Sequence, residues 1–254
     1  MKLGMVTYNL GREWDCETLI ANCEETGFEG VELRTTHAHG VEVELSAAER
    51  AAVAGRFADS SVTIAGLGSA FEYDSPDADE VRANIDGTNR YAELARDLGV
   101  AGVKVRPNRV HVDEGVPIEQ TLEQIGMALR ECGQFAADLG VQIRLEVHGR
   151  VTCLPRHIRT ILDHADHANV VACWNSNMED VEDGSIDANF GLLQDRIGLV
   201  HITELWNPYP WKRLFQLLKD SGYDGFCLAE IPETSDPLRL MHYYHALYRS
   251  LAEL

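Results

Sequence analysis

The chain has 254 residues, of which 45% are hydrophobic and 25% are charged, and its formal net charge at pH 7 is −19. This composition is typical of a folded protein with a large apolar core and argues against disorder. Because nucleic-acid binding requires a basic surface that neutralises phosphates, the acidic charge argues against nucleic acid as a partner.

The first predicted strand, residues 3–8, begins almost at the start of the chain. It is not preceded by the basic stretch and apolar segment of a signal peptide. No apolar run further along approaches the roughly 20 residues that span a bilayer. We therefore expect a cytoplasmic protein without a membrane partner.

A sequence pattern that ends a helix and starts a strand recurs along the chain. In each copy a Gly supplies the left-handed residue that stops a helix, and a β-rich run follows at once. The copies are residues 26–33, 98–105, 139–146 and 221–228. Short connections of this kind are typical of parallel α/β folds.

Filling in the intervening segments predicts eight βα units. The predicted strands are residues 3–8, 30–34, 62–68, 101–106, 142–147, 169–174, 197–202 and 225–230. The predicted helices are residues 16–26, 46–58, 77–98, 118–139, 155–166, 185–195, 210–221 and 235–252. This order predicts one α/β domain, residues 1–254, folded as a (β/α)8 barrel, which is typically about 250 residues long. A doubly wound open sheet is the alternative, but no Gly-rich phosphate loop follows the first strand.

Four polar residues close the last four predicted strands at intervals of 26 to 29 residues: Glu146, Asn175, His201 and Glu230. In a (β/α)8 barrel the C-terminal ends of the strands meet at the catalytic rim, so these side chains should converge. Carboxylate and amide oxygens with one imidazole nitrogen form a typical divalent-metal site. The expected cofactor is a divalent metal ion.

This site predicts a proton-transfer enzyme. A cation on the vicinal oxygens of a hydroxy-ketone acidifies the C–H bond between them and stabilises the resulting enediolate. One of the two catalytic carboxylates, Glu146 or Glu230, can remove that proton and the other can return it. The expected partner is a small carbohydrate.

Further candidate contacts of a sugar lie near the same rim. His148 follows Glu146 by two residues and has the same strand parity, and Asn177 has the parity of Asn175. The remaining candidates are His37 and His39 after strand two, Trp206 after strand seven, and Lys104 in strand four. By parity Glu32, Lys104, Arg144 and Glu146 all face inward, where buried charges should be paired. Lys104 is therefore either a partner of a carboxylate or a substrate contact.

Residues 145–149, 174–177, 200–204 and 221–225, followed by Glu230, resemble the sugar-phosphate isomerase/epimerase superfamily of xylose isomerase-like TIM barrels. That superfamily includes ketose 3-epimerases, hydroxypyruvate isomerase, inosose dehydratase and endonuclease IV. The resemblance implies that Glu146, His201 and Glu230 bind Mn²⁺, Mg²⁺ or a similar divalent ion and that the two Glu exchange a substrate proton. Such barrels are often dimers or tetramers, so it also implies a homo-oligomer.

Three positions depart from this pattern. Asn175 stands where the family usually has Asp, which removes one negative charge from the metal ligands and should lower metal affinity. Met178 and Asn207 replace a His and an Arg that several ketose epimerases use to bind substrate. The side chains with which that subgroup binds its ketose are therefore absent at these two positions.

The predicted activity is a metal-dependent isomerase or epimerase of a keto-sugar or related polyol ketone. The alternative is a metal-dependent lyase, such as a dehydratase or an enzyme that cleaves 3-keto-glycosides, which differs only in a leaving group and its acid. A non-catalytic binding barrel is a third hypothesis. An endonuclease would need further metal ligands and a basic face.

Overall fold

The computed structural model describes residues 1–253 and contains a closed barrel of eight parallel strands. Each strand pairs with the next in sequence, and the last pairs with the first. The strands are β1 Lys2–Val6, β2 Gly30–Arg34, β3 Thr63–Gly68, β4 Gly102–Val105, β5 Gln142–Glu146, β6 Val170–Asn175, β7 Ile197–Ile202 and β8 Phe226–Ala229. The helices are α1 Cys16–Thr26, α2 Ala47–Ala58, α3 Ala78–Leu98, α4 Ile118–Ala137, α5 Pro155–Ala165, α6 Asp187–Leu193, α7 Trp211–Asp220 and α8 Pro237–Ala252. The predicted (β/α)8 barrel is confirmed, and its organisation as one domain over the whole chain stays a prediction.

The element boundaries differ from the predicted ones by a few residues. β1 ends at Val6, two residues earlier than predicted, and the loop that follows contains Asn9 in the left-handed conformation with φ of 59°. Two short 3₁₀ helices, Val112–Glu114 and Met178–Asp180, were not predicted and lie in the loops after β4 and β6. None of the helices in residues 1–253 has the length and apolar character needed to cross a membrane.

Local signals explain where the helices begin and end. Asp15 caps the start of α1 by accepting a hydrogen bond from the backbone N–H of Thr18. Ser46 and Glu49 form a capping box at the start of α2. Gly27 and Gly99 end α1 and α3 in the left-handed conformation that the recurring sequence pattern predicts.

The barrel interior has an apolar layer and a charged layer. The apolar layer is small and consists of Val6, Ala65, Cys173, Leu199 and Leu228. The charged layer contains the predicted inward-facing residues Glu32, Lys104, Arg144 and Glu146, all of them buried. The much larger apolar core lies between the strands and the helices.

Small residues on β3 and β4 make room for the charged layer. A Cβ added at Gly68 would lie 2.7 Å from Oε1 of Glu32, and one added at Gly102 would lie 2.4 Å from Nε of Arg144. The sequence suggested a carboxylate partner for the Arg144 guanidinium, but none lies within ion-pair distance among residues 1–253. It donates instead to the backbone carbonyl of Ala65 at 2.7 Å. Ala65 lies where the β2–β3 register shifts, since Val31 pairs with Ile64 and Glu32 pairs with Gly66. Its carbonyl therefore gives the buried guanidinium a hydrogen-bond acceptor.

Candidate active site

The four polar residues at the ends of β5 to β8 converge in the structure. Glu146 and Asn175 are the last residues of their strands, His201 lies opposite Asn175 in the β6–β7 register, and Glu230 directly follows β8. Glu146, Asn175 and His201 are buried, whereas Glu230 is partly exposed. The strand order therefore brings together residues that are up to 84 positions apart in the sequence.

Ligand-type atoms of these residues face one another. Nδ1 of His201 lies 3.4 Å from Oε1 of Glu146 and 3.7 Å from Oε2 of Glu230. One ligand atom each from Glu146, His201 and Glu230 lies within 4.8 Å of the other two. Asn175 completes the group, since its Nδ2 donates to Oε1 of Glu146 at 3.3 Å.

Two buried atoms in this group fit a metal ion. Nδ1 of His201 and Oδ1 of Asn175 are buried and have no hydrogen-bond partner among residues 1–253. Buried polar atoms are nearly always satisfied, so two such atoms in one cluster call for a ligand. An imidazole nitrogen, an amide oxygen and two carboxylates form a donor set suited to a divalent cation.

Glu32 holds the imidazole of His201 from behind. Oε2 of Glu32 lies 3.3 Å from Nε2 of His201, and both side chains are fully buried. When Nε2 donates its hydrogen to Glu32, the lone pair of Nδ1 faces the two carboxylates. Burial opposes ionisation of Glu32, but His201 and Lys104 outweigh it and hold the pKa of Glu32 below its usual value.

Lys104 forms a buried ion pair with Glu146. Its Nζ lies 2.9 Å from Oε2 of Glu146, with side-chain exposures of 5% and 2%. Burial raises the pKa of Glu146, but the charge of Lys104 and the contact with His201 outweigh it, so the net shift is well downward. Glu230 lies 3.7 Å from His201 but forms no ion pair with a lysine or arginine among residues 1–253, and burial raises its pKa. The two carboxylates therefore differ in their tendency to carry a proton.

A polar cavity of about 430 Å³ opens above the cluster. Its wall includes His148, Asn175, Asn177, Thr203, Asn207 and Glu230. Neither lysine nor arginine contributes to the lining. The cavity therefore offers hydrogen-bonding groups without a positive charge.

Some of the candidate substrate contacts reach this cavity. His148 and Asn177 line it; Asn177 also donates to the Val147 carbonyl at 2.6 Å and caps the short helix that follows. Trp206 lies next to the lining residue Asn207 and is 75% exposed. His148 and Asn177 therefore lie where a bound sugar could contact them, whereas Trp206 is not part of the cavity wall.

The other candidates have different positions. Lys104 points at Glu146 and does not line the cavity, which favours its role as a carboxylate partner. His39 is buried in the loop after β2, where its ring bonds the Arg34 carbonyl at 2.8 Å and the Val41 N–H at 3.0 Å. Both ring nitrogens are thus used by the backbone, and a substrate contact does not fit. His37 lies 3.1 Å from the Thr7 hydroxyl, and burial lowers its pKa to about 4.

Several residues of the site were not identified from the sequence. Tyr8, Asn9, Thr203 and Glu204 line the cavity from the loops after β1 and β7. Their position directly after a strand was the available signal, because loops after strands form the catalytic face of such barrels. The bond between Glu32 and His201 crosses the barrel, and strand parity gives the face of a residue but not its partner.

A second ionisable cluster joins the loops after β3 and β4. Nδ1 of His111 lies 2.7 Å from Oε1 of Glu114, and its Nε2 lies 2.9 Å from Oδ2 of Asp74. The hydrogen bond to Glu114, followed by that to Asp74, raises the pKa of His111. The imidazole of His111 therefore links the two loops through its bond to Asp74.

The loops after β4 and β5 are also held together. The carbonyl of Asn108 accepts hydrogen bonds from the Arg150 N–H at 2.8 Å and the Thr152 hydroxyl at 2.6 Å. Gly149 has φ of 99°, and a Cβ at this position would lie 1.8 Å from the same carbonyl oxygen. Only glycine fits where the two loops approach this closely.

Comparison with known proteins places the fold. The sequence matches the family described as the xylose isomerase-like TIM barrel over residues 20–244. No curated protein matches the chain in sequence.

Solved structures of sugar epimerases are similar in fold. A D-psicose 3-epimerase from Clostridium cellulolyticum H10 has 17% identity and a TM-score of 0.83, with 100% of both chains covered. A 3-keto-D-glucoside 4-epimerase from E. coli has 17% identity and a TM-score of 0.82, covering 98% of this chain and 99% of that one. The IOLI protein with a bound zinc atom has 15% identity and a TM-score of 0.77, covering 99% and 96%.

Proposed function

The chain belongs to the xylose isomerase-like TIM barrel family, and from this premise we propose that it is a divalent-metal-dependent isomerase or epimerase of a keto-sugar or related polyol ketone. One observation carries the proposal. Ligand atoms of Glu146, His201 and Glu230 lie within 4.8 Å of one another beneath a polar cavity. Fold alone does not imply function, so the argument rests on this cluster.

Glu146, Asn175, His201 and Glu230 would hold the metal. The unsatisfied Nδ1 of His201 and Oδ1 of Asn175 support this assignment. A bound divalent cation supplies polarisation of the carbonyl and hydroxyl oxygens of the substrate. Mn²⁺ and Mg²⁺ suit the oxygen-rich donor set, and the zinc atom in the IOLI protein supports a divalent ion.

The two carboxylates would transfer the substrate proton. Glu146 and Glu230 come from β5 and β8, on different sides of the barrel, and both lie next to His201. One removes the proton from the carbon beside the carbonyl, and the other returns a proton to the same or the neighbouring carbon. Which carbon receives it decides between epimerisation and isomerisation.

The cavity favours an uncharged polyhydroxylated substrate. His148, Asn177, Thr203 and Asn207 offer donors and acceptors to hydroxyl groups, and no lining residue is a lysine or an arginine. A phosphorylated sugar normally requires such a cation. The sugar epimerases among the similar structures support a carbohydrate substrate.

A lyase is the second candidate because His148 lines the cavity near the carboxylates. Elimination from the same deprotonated substrate requires only a group that protonates the leaving oxygen. An imidazole at this position is suited to that role. Loss of water or of an alcohol from the substrate would identify this outcome.

The test is solvent-deuterium exchange into a panel of keto-sugars and 3-keto-glycosides, followed by NMR with added Mn²⁺. We expect deuterium at the carbon beside the carbonyl in at least one substrate, and the product distinguishes isomerase, epimerase and lyase. Glu146→Gln and Glu230→Gln should abolish exchange. Glu233→Gln, an exposed neighbour outside the cavity wall, is the matched control. Exchange that survives both substitutions would refute the proposed roles.

We also propose that the protein is a single-domain, cytoplasmic homo-oligomer. These three properties rest on the length and character of the sequence and on the family resemblance. Analytical ultracentrifugation tests the oligomeric state, since a monomer at micromolar concentration would contradict it. Cell fractionation and limited proteolysis test the other two.

A further inference from the structure

A buried positive charge lies beside the proposed metal cluster. The ammonium of Lys104 contacts Oε2 of Glu146 from inside the barrel, at 2.9 Å and out of contact with solvent. Lys104 pairs in register with Arg144, so its side chain reaches forward along the barrel to the end of β5. A positive charge thus lies directly behind one of the proposed metal ligands.

Asn175 acts on the same carboxylate from the other side. Its Nδ2 donates to Oε1 of Glu146 at 3.3 Å, so both oxygens of Glu146 have a donor. As an amide, Asn175 contributes an oxygen ligand without charge. The four ligand residues therefore carry two negative charges, and Lys104 offsets one of them at close range.

We propose that Lys104 is a positioning residue that restricts Glu146 to one coordinating oxygen and, together with Asn175, keeps the affinity of the cluster for a free divalent cation low. This inference rests on the metal cluster of the proposed function. The hydrogen bond from Nζ retains Oε2, which leaves only Oε1 for a cation beside His201. The positive charge also repels a cation placed a few ångströms away in a poorly screened interior.

A structural role alone predicts a different behaviour. If the ion pair served only to hold the barrel together, breaking it would loosen the site and weaken metal binding. If Lys104 restrains the ligand, removing its charge strengthens metal binding even though the metal-free protein becomes less stable. The sign of the change in metal affinity therefore separates the two roles.

The experiment measures Mn²⁺ affinity by isothermal titration calorimetry and by electron paramagnetic resonance of free Mn²⁺. The proteins are the wild type, Lys104→Gln, Lys104→Met and Asn175→Asp. Lys104→Gln keeps a donor near Oε2 without the charge, and Asn175→Asp adds a charge without changing size. Both remain informative if Lys104→Met fails to fold. Lys212→Met, at an exposed position on α7, is the matched control.

We expect Lys104→Gln and Asn175→Asp each to bind Mn²⁺ about ten-fold more tightly, because each substitution makes the charge close to the cation more negative by one unit. Saturating Mn²⁺ should also raise the Tm of both variants more than that of the wild type, because ligand stabilisation increases with affinity. Lys212→Met should match the wild type.

Two negative results have different meanings. Folded variants that bind Mn²⁺ no more tightly than the wild type would overturn the role of Lys104 and leave the proposed function intact. Mn²⁺ binding that is absent from every protein, Asn175→Asp included, or that Glu230→Gln does not abolish, would refute the metal cluster itself. The inference about Lys104 would be refuted with it.

Discussion

Replacing Glu32 by Gln should weaken metal binding although Glu32 is not a proposed ligand. Glu32 and His201 are both fully buried, and Oε2 of Glu32 accepts from Nε2 of His201 at 3.3 Å. The carboxylate selects the tautomer that leaves Nδ1 free and fixes the plane of the ring. An amide keeps the shape of Glu32 but removes the charge, and it can present a hydrogen to Nε2.

The magnitude follows from the contact. A hydrogen bond to a charged group contributes about 1.5–3 kcal/mol. The observed 3.3 Å is longer than the roughly 2.7–2.9 Å of a strong charge-assisted bond, which favours the lower end of that range. A loss of about 1.5–2 kcal/mol corresponds to a roughly 10- to 30-fold higher Kd, at about 1.4 kcal/mol per factor of ten.

Calorimetric titration with Mn²⁺ at pH 7.5 measures this change. Glu29→Gln is the matched control, since Glu29 is exposed and lies just before the same strand. Circular dichroism must show that the Glu32→Gln variant is folded. A folded variant whose Kd lies within two-fold of the wild-type value would refute the reasoning, because it would mean that His201 is oriented without Glu32.

Four other outcomes are expected. Gly68→Ala should destabilise the protein by about 1–3 kcal/mol in urea unfolding, since its methyl group meets Oε1 of Glu32 at 2.7 Å. Gly55→Ala, in an open position on α2, should instead stabilise it by about 0.5–1 kcal/mol. Because hydrogen bonds raise the pKa of His111, its contribution to stability is full below the unfolded-state pKa of about 6.5 and is lost as the pH rises through the folded-state pKa. The destabilisation caused by His111→Ala should therefore shrink between pH 6 and pH 9. A destabilisation that stays constant over this range would contradict the prediction. Trp206→Ala should change the unfolding free energy by less than about 0.5 kcal/mol, because the side chain is exposed. The same substitution should raise KM if the indole stacks on the sugar. An unchanged KM would exclude that contact.

Residue patterns were sufficient to predict the barrel and the residues that meet at its rim. The recurring sequence pattern with Gly indicates where strands begin along the chain. The closed order of the strands then brings Glu146, His201 and Glu230 together. This worked because a parallel barrel fixes which end of each strand faces the cavity. The convergence needed no knowledge of side-chain contacts.

Partner choice and loop conformation could not be predicted in the same way. Strand parity places Lys104 inside the barrel, but whether it reaches Glu146 or the cavity depends on the register between β4 and β5. His39 was a reasonable substrate contact by position alone. Its ring is instead fixed by the backbone of Arg34 and Val41, which depends on how the loop folds.

The close approach of the loops after β4 and β5 has a consequence for access to the cavity. The Asn108 carbonyl accepts from both Arg150 and Thr152, and Gly149 leaves no space between the two segments. Separating the two loops breaks both hydrogen bonds at once, so we expect the loops to move together. The Arg150 amide should therefore be protected from hydrogen exchange. The part of the cavity wall that His148 forms, directly before Gly149, should therefore be its most rigid part.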